Sequence, residues 1–181
     1  MRLCFGQRSG FEADDFLAAA VAQEEQRGGT AIVATGDRDA FQLASELTTI
    51  LQPVRAGQVA RIGPAEVRER YGVEPEQVPD FIALRGDPSD KLPGAKGIGP
   101  KSAASLLRKY GTLEDALADG RFKDETDSLR LYRWIATMDK AAPLSSLEDR
   151  APAWARASAL ARDWELNRLA DRLDTLASSP T

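Results

Sequence analysis

The sequence predicts an α/β fold that turns helical: a short piece of sheet near the start, then helices. Three observations carry this. Short β-branched runs alternate with helical patterns over the first third, the order of an α/β sheet. From Pro64 onward the apolar residues recur at helical spacing. The 181 residues, 43% hydrophobic and 29% charged, can bury an ordinary core and are not a disordered composition.

The elements follow in order. Residues 11–27, FEADDFLAAAVAQEEQR, read as a helix, with Phe16, Leu17, Ala20 and Val21 as the apolar stripe and Glu24, Glu25 and Arg27 facing water. Gly28 and Gly29 stop it. TAIVATGD (30–37) suits a buried parallel strand and runs into a Gly-Asp turn. DAFQLASE is a short helix, TTILQPV a second strand, and GQVARIG a third, edge-like strand with polar residues interleaved. The helices expected next are PAEVRERYG, EPEQVPDFIALRG, PKSAASLLRKYG, TLEDALADG and a longer run from about Asp124 to Asp139. SALARDWELNRLADRLDTLA (158–177) closes the series as one amphipathic helix before a frayed tail, SSPT. The internal seam falls near 63–80, which divides the chain into residues 1–63 and 64–181.

Composition removes several chemistries. There is no histidine, so Ser-His-Asp triads and histidine-ligated zinc or iron are excluded within the chain. The single cysteine, Cys4, excludes an intrachain disulfide and a thiolate zinc cluster. Carboxylate and lysine chemistry remains, and carboxylates are hard oxygen ligands suited to Mg²⁺ or Mn²⁺. MRLCFGQRSG is not a signal peptide, and no run is long and apolar enough to span a bilayer. The expectation is a soluble, cytoplasmic protein without a membrane partner.

Three acidic clusters stand out: Glu12, Asp14 and Asp15 at a helix head; Asp37 and Asp39 after an apolar strand; Asp87 and Asp90 in a Pro/Gly-rich loop. Singly, each has a bland explanation, as a helix cap or an Asx-turn. Together they point to a cation. Functional groups in open α/β sheets gather at the carboxyl ends of strands, and carboxylates converging there repel one another unless a metal neutralises them. Two divalent ions held this way make a phosphoryl-transfer site.

GAKGIGPKSAASLL has different physics. Gly94, Gly97 and Gly99 make a tight hairpin before a helix with Pro100 in its first turn, and the helix start attracts phosphate. Residues 85–110 hold six basic side chains (Arg85, Lys91, Lys96, Lys101, Arg108, Lys109) against Asp87 and Asp90, a local balance of +4 in a chain of net charge -4. A glycine turn with solvated lysines is the bland alternative. The helix-hairpin-helix reading, at about 92–110, has the hairpin gripping nucleic-acid backbone without reading bases. Trp134, Trp154 and Trp164 read as packing residues of the helical part.

The four stretches GFEADD, TGDRDAFQL, VPDFIALRGDPSDKLPG and GAKGIGPKSAASLLRKYG, in that order, resemble the 5′→3′ exonuclease or flap endonuclease family. The likeness is closest to the 5′-nuclease domain of bacterial DNA polymerase I and its stand-alone relatives, and runs from about Gly10 to Ala142. It implies the C-terminal portion of a PIN-like (Rossmann-like) nuclease core followed by a helix–three-turn–helix DNA-binding region. It also implies metal-assisted hydrolysis of DNA phosphodiesters at 5′ ends or flaps. By the same resemblance Glu12, Asp14 and Asp15 serve one divalent metal, and Asp37, Asp39, Asp87 and Asp90 the second metal region, with Asp37 and Asp39 catalytic. Lys96, Gly97, Ile98, Gly99, Lys101 and Ser102 fall on the motif that binds the duplex backbone, where carbonyls also hold a monovalent cation such as K⁺.

The sequence departs from the family pattern twice. Lys91 stands where the family carries Asn. The family's first strand, with its terminal aspartate, is not in residues 1–9, since the first carboxylate is Glu12. The expectation is therefore a shortened or incomplete nuclease with exposed strand edges. Its partners would be DNA, a DNA polymerase, or a chain supplying the missing strands. A non-catalytic module for structured DNA is the alternative reading.

Overall fold

The structure is a computed structural model and describes residues 10–145 and 151–178. The expectations for residues 1–9 and for the tail beyond Ser178 lie outside the described residues. The chain forms two compact units, Met1–Ser145 and Ser146–Thr181.

In the first unit, helix α1 (Ala13–Gln26) begins after Glu12, and Asp14 and Asp15 occupy its first turn, where acidic groups offset the helix dipole. It buries Phe16, Ala18, Ala19 and Val21. Glu25 does not simply face water: its Oε1 accepts hydrogen bonds from the hydroxyls of Ser45 and Thr48, tying α1 to the start of a strand. Those two bonds hold its carboxyl below the usual range.

Strands β1 (Ala31–Ala34), β2 (Thr48–Pro53) and β3 (Val59–Ile62) form one sheet in that order. β1 and β2 are parallel, with Val33 opposite Ile50; β2 and β3 are antiparallel, with Ile50 opposite Ile62. Val33, Ile50 and Ile62 thus fall in one cross-strand row, and all three are buried in the core. β1 departs from the expected buried strand. Among the described residues it lies at the margin of the sheet, and of its residues only Val33 is buried while Ile32 is 63% exposed. The short helix after β1 is a single 3₁₀ segment, Asp39–Leu43, with Ala40, Phe41, Gln42 and Leu43 all buried.

Helix α2 (Pro64–Tyr71) starts on proline and ends on Gly72 in the left-handed conformation that glycine tolerates. Helix α3 (Val78–Arg85) is buried from Val78 to Leu84, as a helix apolar on all sides must be. It packs against helices α4 (Pro100–Tyr110) and α6 (Thr126–Ala136), with α5 (Leu113–Ala118) between them in sequence. Asp80, buried in the first turn of α3, accepts Leu113 N–H at 2.9 Å and pairs with the Arg133 guanidinium, so one carboxylate joins α3, α5 and α6.

The second unit corrects the sequence reading of one closing helix. It is a hairpin of α7 (Trp154–Asp163) and α8 (Asn167–Ser178). α7 ends in a Schellman motif: Leu166 N–H donates to Ala161 C=O and Glu165 N–H to Arg162 C=O. Glu165 adopts φ 58°, a position usually held by glycine, so the sequence carried no stop signal. Two of the three tryptophans are not packing residues either: Trp134 is 75% and Trp164 73% exposed, while Trp154 is half-buried.

Candidate metal centre and phosphate-binding hairpin

The three acidic clusters predicted from sequence line two adjoining clefts of the first unit. One, of about 480 Å³, is lined by Asp37, Asp39, Asp87 and Asp90 together with Arg38 and Arg85. The other, of about 270 Å³, is lined by Glu12, Asp14 and Asp15 from the head of α1, again with Asp37, Asp39 and Asp90. Asp37, Asp39 and Asp90 therefore form the partition between the clefts. The end of α6 and the residues after it, Ile135–Met138, form the remaining wall, which no sequence motif indicated.

Local geometry divides these carboxylates into two groups. Asp15 is committed on both oxygens: Oδ2 accepts Glu12 N–H at 2.9 Å and Oδ1 accepts Asp139 N–H at 2.7 Å. Asp87 is committed too, with Oδ1 on Ser89 N–H at 2.8 Å and Oδ2 on Arg85 Nη2 at 3.1 Å. For these two the cap and Asx-turn explanation holds. Asp37 uses Oδ1 to accept Asp39 N–H at 3.0 Å. The carboxylates of Asp14, Asp39 and Asp90 accept no hydrogen bond among the described residues.

The electrostatics follow. Asp39 is pushed up to about 7, first by burial, then by Asp37, Asp90 and Asp87, with Arg85 pulling weakly the other way. Asp14 is raised by burial and by Asp37, Glu12, Asp15 and Asp90. Carboxylates from three separate segments thus repel one another across one cleft.

No group of three or more metal-ligating side chains among the described residues is drawn into a closed ligand set. The donor chemistry nonetheless fits a hard divalent cation. Mg²⁺ keeps several waters of its own shell and is bound through one or two carboxylates directly, so it does not require such a set.

Arg85 is the last residue of α3. At helical spacing from Phe81, its guanidinium lies 5.2 Å from the Phe81 ring centroid and 5.6 Å from that of Tyr71. It places a fixed cation beside Asp87 at the cleft wall. Its Nε and the Tyr71 hydroxyl are buried with no hydrogen-bond partner among the described residues.

The glycine hairpin follows the acidic loop directly. Asp87 and Leu92 exchange a pair of backbone hydrogen bonds of 2.8 Å, which closes the loop. Lys91 sits within it at φ 59°, a conformation that asparagine tolerates far better than lysine. Gly94, at φ 73°, lies against Gly86; a Cβ on Gly94 would stand 2.4 Å from Gly86 N. Ala95 N–H then bonds Leu84 C=O, anchoring the hairpin on α3. Lys96 N–H is taken by Glu125 Oε1 at 2.9 Å, so this residue's backbone does not face outward as a free donor. Gly97, Gly99, Lys101 and Ser102 are exposed, and their N–H groups have no acceptor among the described residues. With Pro100 opening α4, these donors and the Lys96 and Lys101 side chains form an anion-binding helix start.

Sequence comparison decides the family. Residues 1–72 match the 5′-3′ exonuclease N-terminal resolvase-like domain, and residues 73–158 match the 5′-3′ exonuclease C-terminal SAM fold. The chain belongs to the 5′-3′ exonuclease family. It is 40% identical over 185 residues to DNA polymerase I of Mycobacterium tuberculosis, a match covering 94% of this chain and 20% of that protein. It is 48% identical over 108 residues to DNA polymerase I of Deinococcus radiodurans, covering 60% of this chain and 11% of that protein. The exonuclease-family chain thus spans a fifth or less of these relatives' length.

Among solved structures, a bacteriophage T5 5′-exonuclease mutant superposes with a TM-score of 0.62 at 16% identity, over 93% of this chain and 67% of that one. The bacteriophage T5 flap endonuclease in a pseudo-enzyme–product complex with DNA and metal ions gives 0.61 at 18% identity, over 94% and 61%. The mixed α/β part and the helical part of this exonuclease-family chain therefore have the fold of the phage enzymes.

Proposed function

We propose that the protein is a divalent-metal-dependent 5′→3′ exonuclease or flap endonuclease that hydrolyses DNA phosphodiesters at 5′ ends. The observation that carries this is the meeting of carboxylates from three segments in one cleft, with Asp39 raised to about 7 by burial and by its acidic neighbours. A site of that charge repels phosphate and becomes useful on DNA only with a cation.

Asp37, Asp39 and Asp90, shared by both clefts, would hold Mg²⁺ or Mn²⁺ together with Asp14 and Glu12. When bound, the ions supply charge neutralisation and Lewis acidity at the scissile phosphate. The chain's own residues do the rest. Asp37 and Asp39 are the catalytic carboxylates, held by the Asp37–Asp39 hydrogen bond. Asp15 and Asp87 would stand near the metals but act chiefly as ties for the loops. The hairpin donates the N–H groups of Gly97, Gly99, Lys101 and Ser102 to the phosphates of the duplex, with Lys96 and Lys101 adding charge, and Ile98 seats it on the core. Carbonyls of the same hairpin would take a monovalent cation such as K⁺. The reading places the protein with DNA in the cytoplasm and alongside a DNA polymerase.

The test is hydrolysis of 5′-labelled flap DNA with and without Mg²⁺, with Asp37→Ala as control. Mg²⁺-dependent cleavage that Asp37→Ala abolishes is expected. Salt-sensitive DNA binding with no metal-dependent cleavage would overturn the enzyme reading and leave a binding module.

A further inference from the structure

The Gln42 side chain is buried, and both of its amide N–H donors and its carbonyl oxygen are engaged. Its Nε2 donates to Asp39 C=O at 3.0 Å and to Ala136 C=O at 2.9 Å, and its Oε1 accepts Met138 N–H at 3.0 Å. Ala136 is the last residue of α6, whose final carbonyls have no partner within the helix. Gln42 therefore supplies a missing cap from 94 residues away and spends its other donor on the backbone of Asp39.

The consequence is mechanical. The turn carrying Asp37 and Asp39 faces Asp14 and Asp90 across the cleft, and like charges push it outward. Burial of Ala40 and Phe41 anchors the segment that follows the turn, but few side-chain hydrogen bonds reach the turn itself among the described residues. The Asp37–Asp39 bond is internal to the turn, and Asp139 N–H to Asp15 Oδ1 fixes the far side of the same wall. Among the described residues Gln42 alone bonds both the acidic turn and the residues 136–138 that close the cleft. A buried amide with all its bonds satisfied is also costly to move, because any shift leaves backbone polar groups unpaired in the interior.

We infer that Gln42 is a positioning residue: it holds the Asp37–Asp39 turn against the end of α6 in the arrangement that receives the divalent cation. This rests on the proposed metal-dependent activity, and the experiment separates the two. Mn²⁺ binding is titrated by electron paramagnetic resonance on the full chain and on Gln42→Met, Gln42→Glu, Asp39→Asn and Leu107→Ala. Gln42→Met keeps the volume without the hydrogen bonds; Gln42→Glu keeps the acceptor for Met138 and loses both donations. Leu107→Ala loosens the core at a residue 1% exposed on α4 and serves as the control for general destabilisation.

The expected result is a 10- to 100-fold weaker Mn²⁺ affinity in both Gln42 variants, the range found for groups that orient metal ligands. Leu107→Ala should match the wild type, and flap-DNA affinity in EDTA should be unchanged in Gln42→Met and Leu107→Ala. Wild-type Mn²⁺ affinity in the Gln42 variants, or an equal loss in Leu107→Ala, overturns the inference. Wild-type binding that Asp39→Asn does not weaken overturns the metal-site reading itself.

Discussion

Asp39 gives the clearest handle on the acidic cleft, because its carboxyl is shifted furthest and engages no hydrogen bond among the described residues. Its folded value, about 7, lies above the 3.8 expected for an unperturbed aspartate. The folded chain therefore holds a proton that the unfolded chain releases, over the window from about pH 4 to 7. The sign is that stability is highest below about pH 4, falls as the pH rises through that window and levels off above 7. A shift of roughly three units corresponds to about 4 kcal/mol at 1.36 kcal/mol per unit. The cleft is open and Asp39 is only half-buried, so screening reduces this to about 2 kcal/mol. Asp14, raised by the same neighbours, adds a smaller contribution of the same sign. Urea unfolding at pH 4 and pH 8 in EDTA should show this fall for the wild type. Asp39→Asn should remove most of it and be the more stable protein at pH 8. The backbone bonds from Asp39 N–H to Asp37 and from Gln42 to Asp39 C=O are untouched by the change. Mg²⁺ should also flatten the wild-type profile. An equally steep fall in Asp39→Asn would refute the assignment of the strain to this carboxyl.

Three other measurements probe the scaffold and the hairpin. Asp80→Ala should cost about 2–3 kcal/mol in urea unfolding, since it strands the buried Leu113 N–H and the half-exposed Arg133; Asp80→Asn, which can still accept that N–H, should cost about 1 kcal/mol. Lys91→Asn should stabilise by about 0.5–1 kcal/mol by relieving the left-handed backbone at φ 59°, read as a higher urea midpoint at unchanged slope. Lys101→Glu should weaken duplex binding uniformly across sequences and lower the salt slope by about 1–2 units, measured by fluorescence anisotropy at several salt concentrations.

How far the sequence could be read differs by element. Helix starts with a proline or an acidic first turn, and stops at Gly72 and Gly111, were legible because they are local chemistry. The hairpin was legible for the same reason, since Gly94 has room for no side chain and stands beside Gly86 in a single short loop. The break between α7 and α8 was not, because Glu165 occupies the left-handed position without announcing it. The exposed tryptophans were misread because large aromatics are usually buried, and nothing local says which face of a helix lacks a neighbour. That the acidic clusters line adjoining clefts was legible from residue type and place: a helix head, the end of a strand and a Pro/Gly-rich loop. The wall made by Ile135–Met138 was not, since its contact with Gln42 spans more than ninety residues and involves backbone atoms.

The same distance explains why the two readings of the acidic residues, as caps and as metal ligands, need not exclude each other. Seven carboxylates in adjoining clefts would drive the turns apart if all were free. Asp15 and Asp87 answer this by spending their oxygens on backbone N–H groups and on Arg85, which pins α1 to residue 139 and folds the loop that presents Asp90. Their charge is thereby partly offset while their geometry braces the rest. Asp14, Asp39 and Asp90 keep their oxygens available, and burial raises two of them, Asp39 and Asp14, above the ordinary carboxylate range. The cap residues are what allow the others to stay uncapped. Neutralising Asp15 should therefore loosen the wall at Asp139, whereas neutralising Asp39 should relax the cleft: opposite effects on stability from the same chemical change.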